Sequence, residues 1–293
     1  AVESGVPFRD RLSRIRGLAR RRSGACAIVY APTRRAVEQV RDDLARHGIR
    51  CDAYHAGLDG PERSRVQERF MDGTVRVVAA TNAFGMGIDK PDVRTVLHLQ
   101  LPGTLEAYYQ EAGRAGRDGL PSRCIALHAR GDRRLADRFL DRTHPKKRRL
   151  RSVHRALRRA AGPDGIADVD DERVVRAIGE VPRAWMEGEP AGALAALERA
   201  GAVRAVPYSG TERPSGGSFR RARVLPGRFD AAPVEARRGV VVGKIDAVQR
   251  YARTRGCRSR ALLSYFGEMR REACGRCDRC GWDTERGLPD PDG

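Results

Sequence analysis

The sequence predicts an α/β protein: a parallel sheet flanked by helices, followed by a mixed helix-and-hairpin region and a small helical segment rich in cysteine. Three observations carry this. Between Ala25 and about Leu140, short β-branched apolar runs alternate with amphipathic stretches through short connections, the pattern of strands crossed by helices. Residues 130–160 then hold thirteen cations against three aspartates, a net +10. Four of the seven cysteines gather at the far end, as Cys257, Cys274, Cys277 and Cys280.

Each element has its own signal. Cys26-Ala27-Ile28-Val29-Tyr30 reads as a buried strand, and the helix after it, through Ala45, sets Ala36, Val37, Val40 and Leu44 on one face. Gly48 stops that helix, and residues 50–54 form a second strand. Pro61 suits the first turn of a helix running to Phe70. Residues 74–80, 95–99 and 124–127 read as further strands, with a helix from Thr104 to about Arg114 between the last two. Beyond residue 150, Leu194, Leu197 and Ala200 share a helical stripe that Gly201 ends. A strand at 203–206, a Gly/Ser/Pro-rich turn at 209–218 and a return strand at 219–225 complete a winged-helix-like pattern. The same letters also fit a helical linker with a loop. Past Gly243, Ile245, Val248 and Tyr251 open a helix leading into the cysteines.

The chain has 293 residues, enough for about two ordinary domains. Its 57 Lys+Arg against 38 Asp+Glu give a formal charge of +19. That balance points to a polyanionic partner, nucleic acid first and an anionic membrane surface second. Only Lys90, Lys146, Lys147 and Lys244 are lysines, a skew that genome composition explains, so the location of the charge informs more than the choice of Arg. No apolar run approaches the ~20 residues of a membrane span, and no secretory leader pattern opens the chain, so no membrane is expected. An odd, clustered set of cysteines in a cytosolic protein favours a metal over disulfides.

Two signals carry chemistry. The first is Tyr109-Gln110-Glu111-Ala112-Gly113-Arg114-Ala115-Gly116-Arg117-Asp118-Gly119. Two arginines three apart, in a glycine-bracketed turn, can present guanidinium forks to phosphate oxygens. Ala80 to Pro91, Tyr30 to Arg34 and Tyr54 to Leu58 each follow a strand, where open α/β sheets bind ligands. These three loops and the arginine turn are expected on one edge. The second signal is Cys257-x16-Cys274-x2-Cys277-x2-Cys280, four thiolates suited to a closed, structural zinc site. Two decoys are set aside. Gly239 to Ile245 has its glycines one residue too close for a phosphate loop and Ile at the metal position, and Asp170-Asp171-Glu172 follows a polar turn rather than a buried strand.

With these residues in place, the chain resembles the second RecA-like domain of superfamily 2 helicases. The loop after the first strand stands as motif IV, "TNAFGMGIDKP" as motif V and "QEAGRAGRDG" as motif VI. The wording "AYHAGL", "AFGMGIDKPDVR" and "YYQEAGRAGRDGLP" is similar to RecQ-type DNA helicases, and "CRSRALLSYFGE" with "CGRCDRC" is similar to their zinc-binding subdomain. The resemblance implies a RecA-like fold and ATP with Mg2+ as cofactor. Arg117 would be an arginine finger on the γ-phosphate, an element worth about 10³–10⁵-fold in rate in phosphoryl transfer. Arg114 and Gln110 would stand beside it, and Gly87 and Asp89 near the nucleotide. Thr33, Arg34, His55, Thr81 and Phe84 would lie along the nucleic acid, and Cys257, Cys274, Cys277 and Cys280 would hold structural Zn2+.

The implied function is the C-terminal half of an ATP-dependent 3′–5′ DNA helicase acting in repair and recombination, in the cytoplasm at the nucleoid. Expected partners are single-stranded and duplex or junction DNA, and a first RecA-like domain. The sequence holds no G-x-x-x-x-G-K-[ST], so no ATP turnover is expected of this chain alone. The expected domains are 1–145 (RecA-like), 146–243 (basic linker and winged-helix-like) and 244–293 (zinc-binding). That order departs from the family's, in which zinc follows the core directly. Two other classes fit the letters: a stand-alone nucleic-acid-binding adaptor, and the back half of an RNA helicase.

Overall fold

The computed structural model describes residues 1–20, 25–85, 88–169, 174, 189–206, 221–227 and 229–281. They form two compact units, Ala1–Arg133 with Lys244–Gly293, and Arg134–Gly243.

The first unit is built on β1 (Val2–Ser4), α1 (Phe8–Arg20), β2 (Cys26–Tyr30), α2 (Arg34–Arg46), β3 (Cys51–Tyr54), α3 (Gly60–Met71), β4 (Val77–Ala80), β5 (Val93–His98), α4 (Leu105–Ala112) and β6 (Arg123–His128). All six strands are parallel, in the order β1-β6-β5-β2-β4-β3. Strand alternation assigns the two faces. Ala27, Val29, Ala79, Leu97, Ile125 and Leu127 pack with α1 and α2. Ile28, Tyr30, Val78, Ala80 and Val96 point the other way, onto Phe70, Phe84 and Ile88. This is the RecA-like parallel sheet flanked by helices that the letters predict.

β1 and α1 are additions to the five predicted strands. β1 is three residues long, and α1 carries five arginines around a stripe reduced to Leu12, Ile15 and Leu18, too little periodicity to stand out. Between β4 and β5 no helix intervenes among the described residues. The loop from Thr81 to Asp92 therefore carries the chain from the carboxyl end of β4 to the amino end of β5.

The second unit contains α5 (Arg133–Thr143, in it from Arg134), α6 (Lys147–Ala160), β7 (Ile166–Asp168), α7 (Glu189–Arg199), β8 (Val203–Val206) and β9 (Arg221–Val224). The strands form an antiparallel sheet in the order β7-β9-β8. Leu150, Val153 and Leu157 of α6 share a core with Ala167, Leu194, Leu197, Val203 and Ala222. Helix, strand, helix, strand, strand is a winged-helix-like order. The predicted turn at 209–218 and the acidic decoy at 170–172 lie outside the described residues.

α8 (Ala232–Arg253) starts eleven residues before the predicted Gly243 boundary, and α9 (Arg258–Tyr265) follows it. Gly239 and Gly243 sit within α8, so the decoy phosphate loop is helix. Two interior glycines cost a helix about 1 kcal/mol each, which is why the letters read there as a break. Ala247, Val248, Tyr251 and Ala252 of α8 join Ala261, Leu262 and Tyr265 of α9 against Val2, Leu105, Tyr108 and Ala126. The cysteine-bearing segment is thereby packed onto the sheet's second face. No helix among the described residues is long and apolar enough to cross a membrane.

Candidate functional site

Three predicted loops share the carboxyl edge of the sheet. Thr33 is the N-cap of α2, and its Oγ1 accepts the Ala36 N–H at 3.1 Å. That bond uses a lone pair and leaves the hydroxyl hydrogen free to donate. Arg34 is exposed on the next position, and its side chain crosses Gly57, where a Cβ would lie 3.2 Å from its Cδ and Nη1. The loops after β2 and β3 thus meet. Thr81 is half-buried, with its N–H on Tyr54 O at 3.1 Å and its Oγ1 3.4 Å from the Ala83 N–H.

Two predicted nucleic-acid ligands are corrected. His55 is 4% exposed; its Nδ1 accepts the Gly57 N–H at 3.2 Å and its Nε2 lies 3.4 Å from Glu38 Oε1. It buckles its own loop and offers no open ring. Phe84 is 1% exposed, edge-on to Tyr54 at 4.8 Å and to Phe70 at 5.7 Å, and its carbonyl accepts the Tyr30 hydroxyl at 3.2 Å. A ring so enclosed anchors the loop from beneath rather than stacking on a base.

The arginine turn does not start from that edge. α4 runs back from the carboxyl end of β5, so the turn closes at the other end, where the Gly116 N–H bonds Val93 O at 2.9 Å. Gly116 has φ 67°, and a Cβ there would lie 2.5 Å from Ser122 Oγ. The turn meets the 81–92 loop because that loop crosses to the same end. Arg114 lies on Gly85, whose φ is 139° and whose Cβ would fall 2.2 Å from Nη2 of the guanidinium. Its Nη1 reaches Ile88 O at 3.4 Å. Arg117 Nη1 donates to Asp89 Oδ1 at 2.5 Å, and both side chains are exposed, at 40% and 84%. Gln110 is exposed on the last turn of α4. Gly87 lies outside the described residues.

The four clustered cysteines converge. Their sulfurs all lie within 4.8 Å of one another, with Cys277–Cys280 at 3.5 Å and Cys274–Cys280 at 4.0 Å. A tetrahedral zinc with ~2.3 Å Zn–S bonds has S···S edges of about 3.8 Å, so the cage fits that ion. The Arg258 N–H points at Cys277 Sγ and the Cys274 N–H at Cys257 Sγ, each at 3.3 Å. Burial pushes the Cys274 thiol up, but hydrogen bonds from the Ser259 side chain and the Arg276 N–H outweigh it and bring it down to about 6. Cys51 and Cys124, by contrast, are pushed by burial up to about 12 and about 11, as inert core thiols are.

The helicase conserved C-terminal domain family matches residues 10–119, and the RecQ zinc-binding family matches residues 228–281. Together these two matches and the relatives below support a RecQ-type helicase C-terminal portion. The chain is 49% identical over 113 residues to the ATP-dependent DNA helicase RecQ of Bacillus subtilis, a match covering 39% of this chain and 19% of that protein. It is 49% identical over 111 residues to the ATP-dependent DNA helicase Q5 of Rattus norvegicus, covering 38% and 11%. Over 126 residues it is 46% identical to the ATP-dependent helicase SGS1 of Saccharomyces cerevisiae, covering 41% and 9%. The matches span about a tenth to a fifth of the length of these curated relatives.

The RecQ zinc-binding match thus includes all four sulfurs of the cage. Cys257, Cys274, Cys277 and Cys280 would hold a zinc ion as a fold-stabilising centre, every tetrahedral position taken by sulfur. A buried guanidinium keeps the cage on the domain: Arg258 bonds Asp278 Oδ2 at 3.0 Å and reaches Tyr251 O and Ala252 O at 2.5 and 3.3 Å. Sequence reading missed Arg258, and an arginine one residue after a ligand cysteine was the available signal. It also missed the buried pair His98 Nε2–Glu111 Oε2, at 2.9 Å. Glu111 faces inward from α4, beside Tyr108 on the buried stripe, and ties the arginine-bearing helix to β5.

Proposed function

We propose that this chain is the C-terminal part of an ATP-dependent DNA helicase of the RecQ type, moving 3′ to 5′ and acting in repair and recombination. ATP with Mg2+ binds between the first unit and a first RecA-like domain that carries the phosphate loop. Arg117 is the arginine finger on the γ-phosphate, Arg114 and Gln110 flank it, and Asp89 and Gly87 line the nucleotide. Thr33, Arg34 and Thr81 follow the DNA backbone along the carboxyl edge. Segments 1–145, 146–243 and 244–293 act as motor half, basic winged-helix-like DNA grip and zinc-binding segment.

The observation that carries this reading is the Arg117–Asp89 pair beside an immobilised Arg114. An exposed ion pair is worth about 0–1 kcal/mol, so a phosphate can take Arg117 from Asp89 at little cost. Arg114, held on Gly85 and Ile88, keeps the turn in register. A second support is an open groove of about 970 Å³ between α6 and the first half of α8, lined by Lys146, Lys147, Arg148, Arg151, Arg155 and Arg238. α7, in the position where winged helices often read DNA, spells Gly-Ala-Leu-Ala-Ala-Leu-Glu-Arg over 192–199 and carries no cationic stripe.

The test is Arg117→Ala in the full-length protein. ATP turnover should fall at least 10³-fold, as for other fingers, while affinity for single-stranded DNA stays within about twofold. Equal loss of both would remove the finger role. Unwinding assays on DNA and RNA duplexes decide the substrate, and an RNA preference would overturn the DNA reading.

A further inference from the structure

We infer that the carboxyl ends of β1 and β6, the end of α8 and the zinc knuckle form a pocket for the backbone phosphates of a DNA strand. This extends the proposed DNA edge and rests on that reading. The pocket, about 580 Å³, is ringed by Arg130, Arg253, Arg255 and Arg279, with Ser4, Gly5 and His128 beside them. These residues come from four chain segments, and only folding brings them together. Four guanidiniums around one cavity repel each other unless an anion joins them. No carboxylate lines the pocket.

The neighbouring acids are already engaged. Asp278 lies 3.6 Å from Arg279 but is held by Arg258 at 3.0 Å, and Asp132 is held by Arg11 at 2.7 Å. Arg130, Arg253 and Arg255 make no side-chain hydrogen bond or ion pair among the described residues. His128 is 3% exposed, and its Nε2 has no hydrogen-bond partner there. A buried, unpaired ring nitrogen costs free energy that a ligand oxygen or its water would recover. Guanidinium forks match phosphate oxygens in charge and shape.

Position argues for a strand rather than a lone anion. Ser4 and His128 are register partners at the last residues of β1 and β6. That is the same sheet edge that presents Thr33 and Thr81, with only β5 between β6 and β2. At ~4.8 Å per strand the two sites are about 10 Å apart along the edge, which a few nucleotides bridge.

The experiment uses the full chain with its zinc, a fluorescent oligothymidylate and a salt series, comparing the unsubstituted protein with Arg253→Ala/Arg255→Ala. Both residues are exposed, so zinc content and thermal melting serve as folding controls. Each phosphate contact contributes about 0.7 to the slope of log affinity against log salt. With two phosphate contacts removed, the double variant should flatten the slope by about 1.4 and weaken binding at least five- to tenfold. An unchanged slope and affinity, with the unsubstituted chain still binding, would overturn the pocket and leave the wider DNA reading standing. A chain that binds no oligonucleotide would overturn both. Inorganic phosphate is titrated in parallel: binding lost in the variant without any change in the DNA slope would mark a free-anion site and overturn the strand assignment.

Discussion

At the scale of single residues, the site depends on two glycines. Gly85 works because its backbone adopts φ 139° and because the Arg114 guanidinium fills the place of a Cβ. Gly85→Ala should displace Arg114, release the arginine turn from Ile88, and lower ATP turnover of the full-length protein at least tenfold. Because the site is a loop, the melting temperature should move by only a few degrees. An alanine variant with full turnover would show that Arg114 needs no fixed seat. Both glycines were legible as letters in the sequence, and so were the arginines. What the letters did not carry was that Gly85 makes room for Arg114, 29 residues away in the chain. His55 and Phe84 show the converse. Their loops were read in the right places, but burial was invisible locally, and two side chains expected at a surface turned out to brace it.

At the scale of elements, the strand-and-helix alternation from Cys26 to His128 was readable because buried parallel strands are short continuous apolar runs. β1, α1 and the true start of α8 were not. Three residues make no periodic signal, and α1 and α8 owe their stability to packing rather than to propensity. α8, α9 and the cysteines form one cooperating piece, since Arg258 bonds α8 carbonyls and Asp278 while its own N–H points at Cys277. Metal analysis should give about one zinc per chain. Chelation should increase hydrogen exchange across α9 and the last turns of α8 while β2, β4 and β5 stay protected. Unchanged exchange at α9 after zinc loss would refute this coupling. Cys277→Ser should reproduce the chelated state.

At the scale of the whole molecule, the +19 resolves into places. Leu150, Val153 and Leu157 turn one face of α6 into the core, and Arg148, Arg151 and Arg155 stay exposed on another. Reversing these three to Glu should lower DNA affinity about 10²-fold at 0.1 M salt without lowering the melting temperature, because none of them is buried. Undiminished binding would move the DNA surface away from the second unit. By itself the sequence determined the RecQ-type motifs, the parallel α/β class, the four clustered cysteines and the positions of the arginines. These depend on residue identity at short spacing, and spacing is local. Only the tertiary structure decided that the arginine turn closes at the amino end of β5 and that His55 and Phe84 are internal. It alone showed that residues 244–281 fold with 1–133, and that four arginines from distant segments ring one pocket. Such contacts depend on which strand lies beside which and on what is left exposed, and no window of sequence contains that information.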